Sequence, residues 1–304
     1  MMNTIPEAQL ESVQLDRLAA MRSLYSKAKR IQAWQLILSV PCVIAWSFSI
    51  LVFPGLRVYE AMWGIAITIV SSVALDRWQA TLKEKAAKVQ EQFDCDVLQM
   101  DWPDLKAGAR PDAEIIAEHS AHYRGVDPDY KGVRNWYARV VGSLPMHLAR
   151  LVCQRSSCWW DAKLRRRYAV WVLITLGVFS ALVITLGLLK GATLADFVLA
   201  GIMPLMPAIT LAIRQFYEHN DAAARADKLK ECAERLWSES VRNTVSSDGI
   251  AVLSRQLQDE IFEHRRRSPL ILDWIYERLR NHDEDLMNKG AEALVAEASS
   301  SGVR

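Results

Sequence analysis

Four apolar stretches in two close pairs constrain this chain more than any other feature. Residues 32–53 and 58–75 form the first pair, and residues 169–189 and 193–213 the second. None contains Lys or Arg, and their carboxylates, Glu60 and Asp196, each lie near an end. A helix needs about 20 mostly apolar residues to cover the hydrocarbon core of a bilayer, so each stretch is expected to cross one. Averages conceal this pattern. A hydrophobic fraction of 51% and a mean hydropathy of +0.02 look like a soluble protein, because apolar runs are blended with highly charged ones.

The basic residues set the expected orientation. The link inside the first pair carries Arg57, and the link inside the second carries Lys190; every other Lys and Arg lies outside the pairs. Basic residues near span ends stay on the cytoplasmic side. Lys27, Lys29 and Arg30 precede the first stretch and Arg77 follows the second. Arg165, Arg166 and Arg167 precede the third, and Arg214 follows the fourth. The fold class expected is therefore an all-α membrane protein, with four transmembrane helices in two hairpins, a helical cytoplasmic middle region and a helical C-terminal tail. The divisions are 1–31 (cytoplasmic N-terminal helix), 32–75 (first hairpin), 76–168 (middle region), 169–213 (second hairpin) and 214–304 (tail). Both termini are expected in the cytoplasm of a bacterial cell, with the first span as an uncleaved membrane address. Trp34, Tyr59, Trp63, Trp78, Tyr168, Trp171, Phe216 and Tyr217 fall where an interfacial aromatic belt would lie.

Outside the apolar pairs the chain reads as helices. Residues 8–31 place Leu10, Val13, Leu18, Met21, Leu24 and Tyr25 near one face. Residues 76–93 are rich in the good helix formers Lys, Glu, Gln and Ala. Residues 94–111 hold Asp, Gly and two prolines and read as an irregular turn region. A short helix is expected over 112–123, a loop around Asp127-Pro128-Asp129, and a helix over 135–154 that Pro145 must start or kink. In the tail, 214–242 and 249–264 are expected helices, the second behind a cap supplied by Ser246, Ser247 or Asp248. Ser268-Pro269 reads as the opening of a further helix.

Catalytic constellations are weak. Asp94-Cys95-Asp96 surrounds a thiol with acids, the opposite of what a nucleophilic thiolate needs, and reads better as a solvated turn. His119 and His122, with Glu118, share a helical face, but no second ligand pair stands at a metal-site spacing. Five scattered cysteines make no disulfide framework. There is no phosphate-cradling glycine loop and no nucleophile elbow. The expectation is a non-enzyme with neither metal nor cofactor. A net charge of +2 argues against a partner of duplex DNA or RNA.

Two sets of residues suit a membrane effector instead. Thr175 and Ser180 on the third stretch, with Asp196, Pro204 and Pro207 on the fourth, are the candidates for a pore or gate. Hydroxyls there serve equally as glue between helices, and prolines are tolerated in membrane helices. The second set mixes arginines with aromatic rings: Arg134, Trp136, Tyr137, Arg139 and Arg155, with Arg265 and Arg266 in the tail. Guanidinium forks bind phosphate, and indole or phenol faces stack on bases, which suits a nucleotide messenger. Anchoring to anionic lipid is the competing reading, favoured for Arg165–Arg167.

The segments Phe93-Asp94-Cys95-Asp96-Val97-Leu98, Arg134-Asn135-Trp136-Tyr137, Ala149-Arg150-Leu151-Val152-Cys153-Gln154-Arg155 and Trp160-Asp161-Ala162-Lys163-Leu164-Arg165 together resemble the SMODS-associating four-transmembrane effector family. The two-plus-two spacing of apolar stretches matches it as well, and the likeness runs from about Leu24 to Arg280. The resemblance implies an effector of CBASS-type antiphage defence that binds a cyclic oligonucleotide and, as a homo-oligomer in the lipid bilayer of the inner membrane, forms or opens a pore. The alternative from another class is a membrane-anchored scaffold that recruits a cytoplasmic partner through its helical tail.

Overall fold

The apolar spacing of the N-terminal segment organises the first layer. In the computed structural model, which describes residues 3–301 apart from 40, 43, 44, 47, 48, 50–52, 190–205 and 243, a short α1 (Ile5–Ala8) leads into α2 (Ser12–Ser39). Leu15, Leu18, Met21, Leu24, Ala28 and Ile31 of α2 recur every three or four residues and are buried, as a core-facing helical stripe requires. The stripe meets α4 (Asp76–Val97), which presents Leu82, Ala86, Val89, Phe93 and Val97 at the same spacing. α4 is entered through α3 (Arg57–Val70) and a single π-helical turn, Ser71–Leu75.

The expected break at residue 94 does not occur. α4 runs to Val97 because Asp94 is fully buried and bonded by distant partners. A short α5 (Asp104–Ala107) ends at Gly108, whose positive φ of 66° suits glycine. α6 (Ala113–Arg124) then packs on α2, with Ile115 and Ile116 against the core.

Pro145 starts a helix: its carbonyl accepts from the Leu148 and Ala149 amides, and α7 runs from Met146 to Leu189. α8 (Met206–Val241) packs along α7. α9 (Ser247–Arg267) is capped by Ser246, whose Oγ accepts from the Gly249 amide at 3.2 Å. α9 and α10 (Asp273–Ser300) also pack on α7. The helix expected to open at Ser268-Pro269 opens at Asp273 instead. A residue before proline is pushed to extended backbone, and Ser268 has ψ 144° as the C-cap of α9. The Pro269 carbonyl accepts from Arg165 Nη1 at 2.9 Å, and Leu270 and Ile271 plug the core. One main core draws on residues from Ile5 to Ala298.

The all-helical expectation stands among the described residues, but the four spans do not. Among these residues no helix is long and apolar enough to cross a membrane. α2 is polar along most of its length and packs on the body. α3 has 14 residues, about 21 Å at 1.5 Å per residue, against a hydrocarbon core of about 30 Å. α7 is long, but its first half is charged and built into the body. Of the fourth stretch, residues 193–205 lie outside the described ones, and α8 is charged from Arg214 onward. Exposed apolar side chains do cluster on α3 (Val58, Met62, Ile65, Ile69) and on the second half of α7 (Ile174, Val178, Leu182, Leu188).

Candidate functional site

Two groups of charged residues meet at the C-terminal end of α9. The first centres on two buried carboxylates met by two partly buried guanidiniums. Glu91 and Asp94, one turn apart on α4, have no exposure. Asp94 accepts from Tyr137 Oη at 2.6 Å, from Gln258 Nε2 at 2.9 Å and from Arg265. Glu91 accepts from Arg255 Nη2 at 2.6 Å and from Gln258 Nε2 at 2.9 Å. Burial, then the neighbouring Asp94, raises the Glu91 carboxyl above its ordinary range, while Arg255 and Arg265 oppose this. Two carboxylates and two guanidiniums thus balance one another, and the network ties α4, α9 and the Tyr137 segment together.

The second group lines a cavity of about 430 Å³ between α2, residues 131–136, α7, the end of α9 and the start of α10. Its wall carries seven cations, Arg22, Lys29, Lys131, Arg134, Arg165, Arg265 and Arg280, against three carboxylates, Asp161, Asp273 and Glu284. Tyr25, Trp136, Trp160 and Tyr276 supply aromatic surface. The cavity falls in the size range of small-molecule sites.

Local structure sets these side chains. Asp127 accepts from the Lys131 and Gly132 amides at 3.1 and 2.7 Å and from Tyr123 Oη at 3.2 Å, which shapes the loop before Arg134. A Cβ on Gly132 would lie 2.4 Å from Tyr123 Oη, so a larger residue there would displace the Tyr123 hydroxyl from Asp127. Asn135 adopts φ 54°, a left-handed conformation that Asn tolerates, and this turns Trp136 onto the cavity. On α2, Arg22 lies over the Tyr276 ring at 4.1 Å and Lys29 Nζ bonds Asp273 Oδ1 at 2.6 Å. Burial pulls the Lys29 ammonium down, and Asp273 partly offsets it. Burial alone would raise the Asp161 carboxyl, yet Arg165 and the His264 ring, 2.7 Å away, hold it well below the usual carboxylate range.

Ser268, His264 and Asp161 adjoin one another without forming an acyl-transfer relay. Ser268 Oγ lies 3.4 and 3.3 Å from the two His264 nitrogens, beside the ring. A relay needs hydroxyl and carboxylate on opposite nitrogens. Cys95 is pushed up to about 12 by burial and then by Glu91, and Cys158 to about 12 by burial, so neither is a ready thiolate. Among the described residues no cluster of three or more His, Cys, Asp or Glu is arranged to hold a metal.

Of the seven residues singled out for a ligand, the structure brings Arg134, Trp136 and Arg265 to the cavity. Tyr137 is buried, with its hydroxyl on Asp94 and its amide on Gln9 Oε1. Arg139 Nε bonds the Asn135 side chain at 3.1 Å and so braces a lining residue. Arg155 pairs with Glu234 at 3.0 Å, and Arg266 grips Glu263 through two bonds. Among the pore candidates, Thr175 bonds back to the Trp171 carbonyl at 2.9 Å and Ser180 is half-buried. Pro207 lies in the first turn of α8, and Asp196 and Pro204 lie outside the described residues. Arg22, Lys29, Tyr276 and Arg280 were not singled out. Their signal was spacing: 22, 25 and 29, like 276, 280 and 284, put polar or aromatic groups on one helical stripe.

A family model described as the SMODS-associating 4TM effector domain matches residues 3–294. A probable CBASS effector molecule of Bacillus cereus (strain VD146) is 25% identical over 288 residues, which cover 92% of this chain and 95% of that protein. No solved structure matches the chain.

Proposed function

Since the chain belongs to the SMODS-associating 4TM effector family, a family of antiphage defence effectors, we propose that its cavity receives a cyclic oligonucleotide messenger and that occupancy switches the protein to breach the bacterial inner membrane. The observation that carries the messenger reading is the exposed Arg134, which enters no ion pair among the described residues, beside Trp136 in a cavity whose wall carries six further cations and three more aromatic rings. A cyclic oligonucleotide has this composition in reverse: bridging phosphates between flat bases. Guanidinium groups would take the phosphates and indole faces the bases.

The cavity's position supports such a switch. It touches α2, α7, α9 and α10 at once, and α2 and α7 continue from the packed body toward the exposed apolar surface. A ligand shifts a two-state equilibrium only by its difference in affinity for the two states. A messenger that draws these helices together would change how their apolar ends are presented. In this reading the protein acts by binding, without chemistry of its own, and several copies assemble to open the membrane.

Titration calorimetry of the full-length protein with cyclic di- and trinucleotides tests the first half. Binding by at least one of them, lost on Arg22→Ala together with Arg134→Ala, is expected. Absence of binding across the panel would overturn the messenger reading. Dye release from liposomes carrying the protein tests the second half. Release on addition of the bound nucleotide is expected, and binding without release would remove pore formation.

A further inference from the structure

We infer that the cleft between α2, α4 and α6 is a specific site for an anionic phospholipid, with the phosphate at Lys27 and Arg30 and the acyl chain against Ile31, Trp78 and Leu82. The cleft is separate from the messenger cavity and encloses about 300 Å³. Its walls are apolar except for Lys27, Arg30 and one buried imidazole, His119. A free nucleotide would find two cations and the Trp78 ring, but its polar base edges and sugar would face an otherwise apolar wall. A lipid, which joins a phosphate to a hydrocarbon chain, matches both halves.

Three observations support this occupant. Lys27 is loosely paired, 3.6 Å from an exposed Glu118 carboxylate, and Arg30 is exposed and enters no ion pair among the described residues. Both cations are therefore available to an incoming phosphate. Second, His119 is 7% exposed, and its Nδ1 is buried with no partner among the described residues. Buried polar atoms are ordinarily bonded, so a ring left short at a cleft wall points to a polar group supplied from outside. Burial, then Lys27, holds His119 below its usual range; Lys85 and His122 add to this and Glu118 opposes it. Third, the cleft marks the border of the packed body. One turn beyond Ile31, Trp34 and then Ile37 of α2 are exposed, and Trp78 stands 60% exposed just below α3 with its apolar surface. Lipid at this border would meet a charged rim and a hydrocarbon wall in the order in which a bilayer presents them.

This inference shares with the proposed function the premise of membrane action, but its test separates the two. The full-length protein is floated with phosphatidylcholine vesicles, with and without phosphatidylglycerol, as wild type and as Lys27→Glu/Arg30→Glu. Each surface cation adds roughly fivefold to binding of an anionic membrane, so loss of both is expected to weaken association with the phosphatidylglycerol vesicles by at least about twenty-five-fold. Binding to pure phosphatidylcholine, and calorimetric affinity for the cyclic oligonucleotide, should stay at wild-type values. Equal binding of wild type and variant to the anionic vesicles would overturn the site, as would a variant that fails on both vesicle types. Glycerol phosphate, the head without its chain, should compete poorly. Full competition by it would replace the lipid with a simple phosphate and also overturn the proposal. A wild type that binds nucleotide but shows no preference for anionic vesicles defeats this inference and leaves the messenger reading intact.

Discussion

The internal network around Asp94 and the cavity beside it use the same residue type to opposite ends. In the network, Arg255 and Arg265 face Glu91 and Asp94, charges balance, and Gln258 and Tyr137 complete the carboxylates' hydrogen bonds. In the cavity, cations outnumber carboxylates and Arg134 is exposed, entering no ion pair among the described residues. The difference separates arginines that hold the fold from arginines with donors left over for a ligand. Arg265 belongs to both groups, so a phosphate in the cavity would compete with Asp94 for it.

Breaking the balanced side should have the largest effect. Asp94→Ala leaves the Arg265 charge buried and uncompensated, and such a loss costs about 3–5 kcal/mol. Urea unfolding should show this, and Arg265→Met in the same background should recover part of the loss, because the stranded charge is removed. A loss that stays the same or deepens would show that the network is not a balanced unit. On the other side, Arg134→Ala should leave the unfolding midpoint unchanged. It should weaken messenger binding by about 2 kcal/mol, roughly thirtyfold, as expected for a hydrogen bond to a charged group. Calorimetry reads this directly, and equal affinities would remove Arg134 from the site.

The limits of the sequence follow the same division. The helices were legible because their stripes are local: Leu18, Met21 and Leu24 on α2, or Leu253, Leu257 and Ile261 on α9, recur at helical spacing. The mix of arginine and aromatic residues in 134–137 led to the cavity for the same reason. What decided between a ligand arginine and a structural one was not local. Arg155 finds Glu234 79 residues away, and Tyr137 finds Asp94 43 residues away. Nothing in the neighbouring sequence marks those partners. The extension of α4 past Asp94 was hidden likewise, because polar residues that read as a turn are bonded by α9. The four spans were inferred from apolar length alone, which does not show how much of a long helix is engaged in the body.

A third kind of buried polar group sharpens the contrast. His219 on α8 is fully buried against Tyr168, with ring centroids 4.3 Å apart, and neither ring nitrogen has a partner among the described residues. Burial, then Arg165, lowers it to about 3. At pH 7 the ring is neutral in both folded and unfolded chains. As pH falls below about 6.5, the unfolded ring takes up a proton and the folded one does not, so stability drops with acid. At pH 5 the cost from this residue is about 2 kcal/mol. Unfolding at pH 7 and pH 5 should show His219→Leu losing less stability than wild type over that interval. Parallel losses would mean that the ring is solvated.

The smallest effect is the most direct test of the division itself. Arg155 was a ligand candidate by composition, yet it is paired with Glu234 at a partly exposed site, with side-chain exposures of 21% and 39%. A pair so placed is worth about 0.5 kcal/mol, so Arg155→Gln should shift the unfolding midpoint only slightly. If charge balance separates the two kinds of arginine, messenger affinity should stay within about twofold of wild type, a difference of about 0.4 kcal/mol. A loss as large as that of Arg134→Ala would mean that the messenger reaches beyond the cavity to an arginine that the unliganded chain pairs with Glu234.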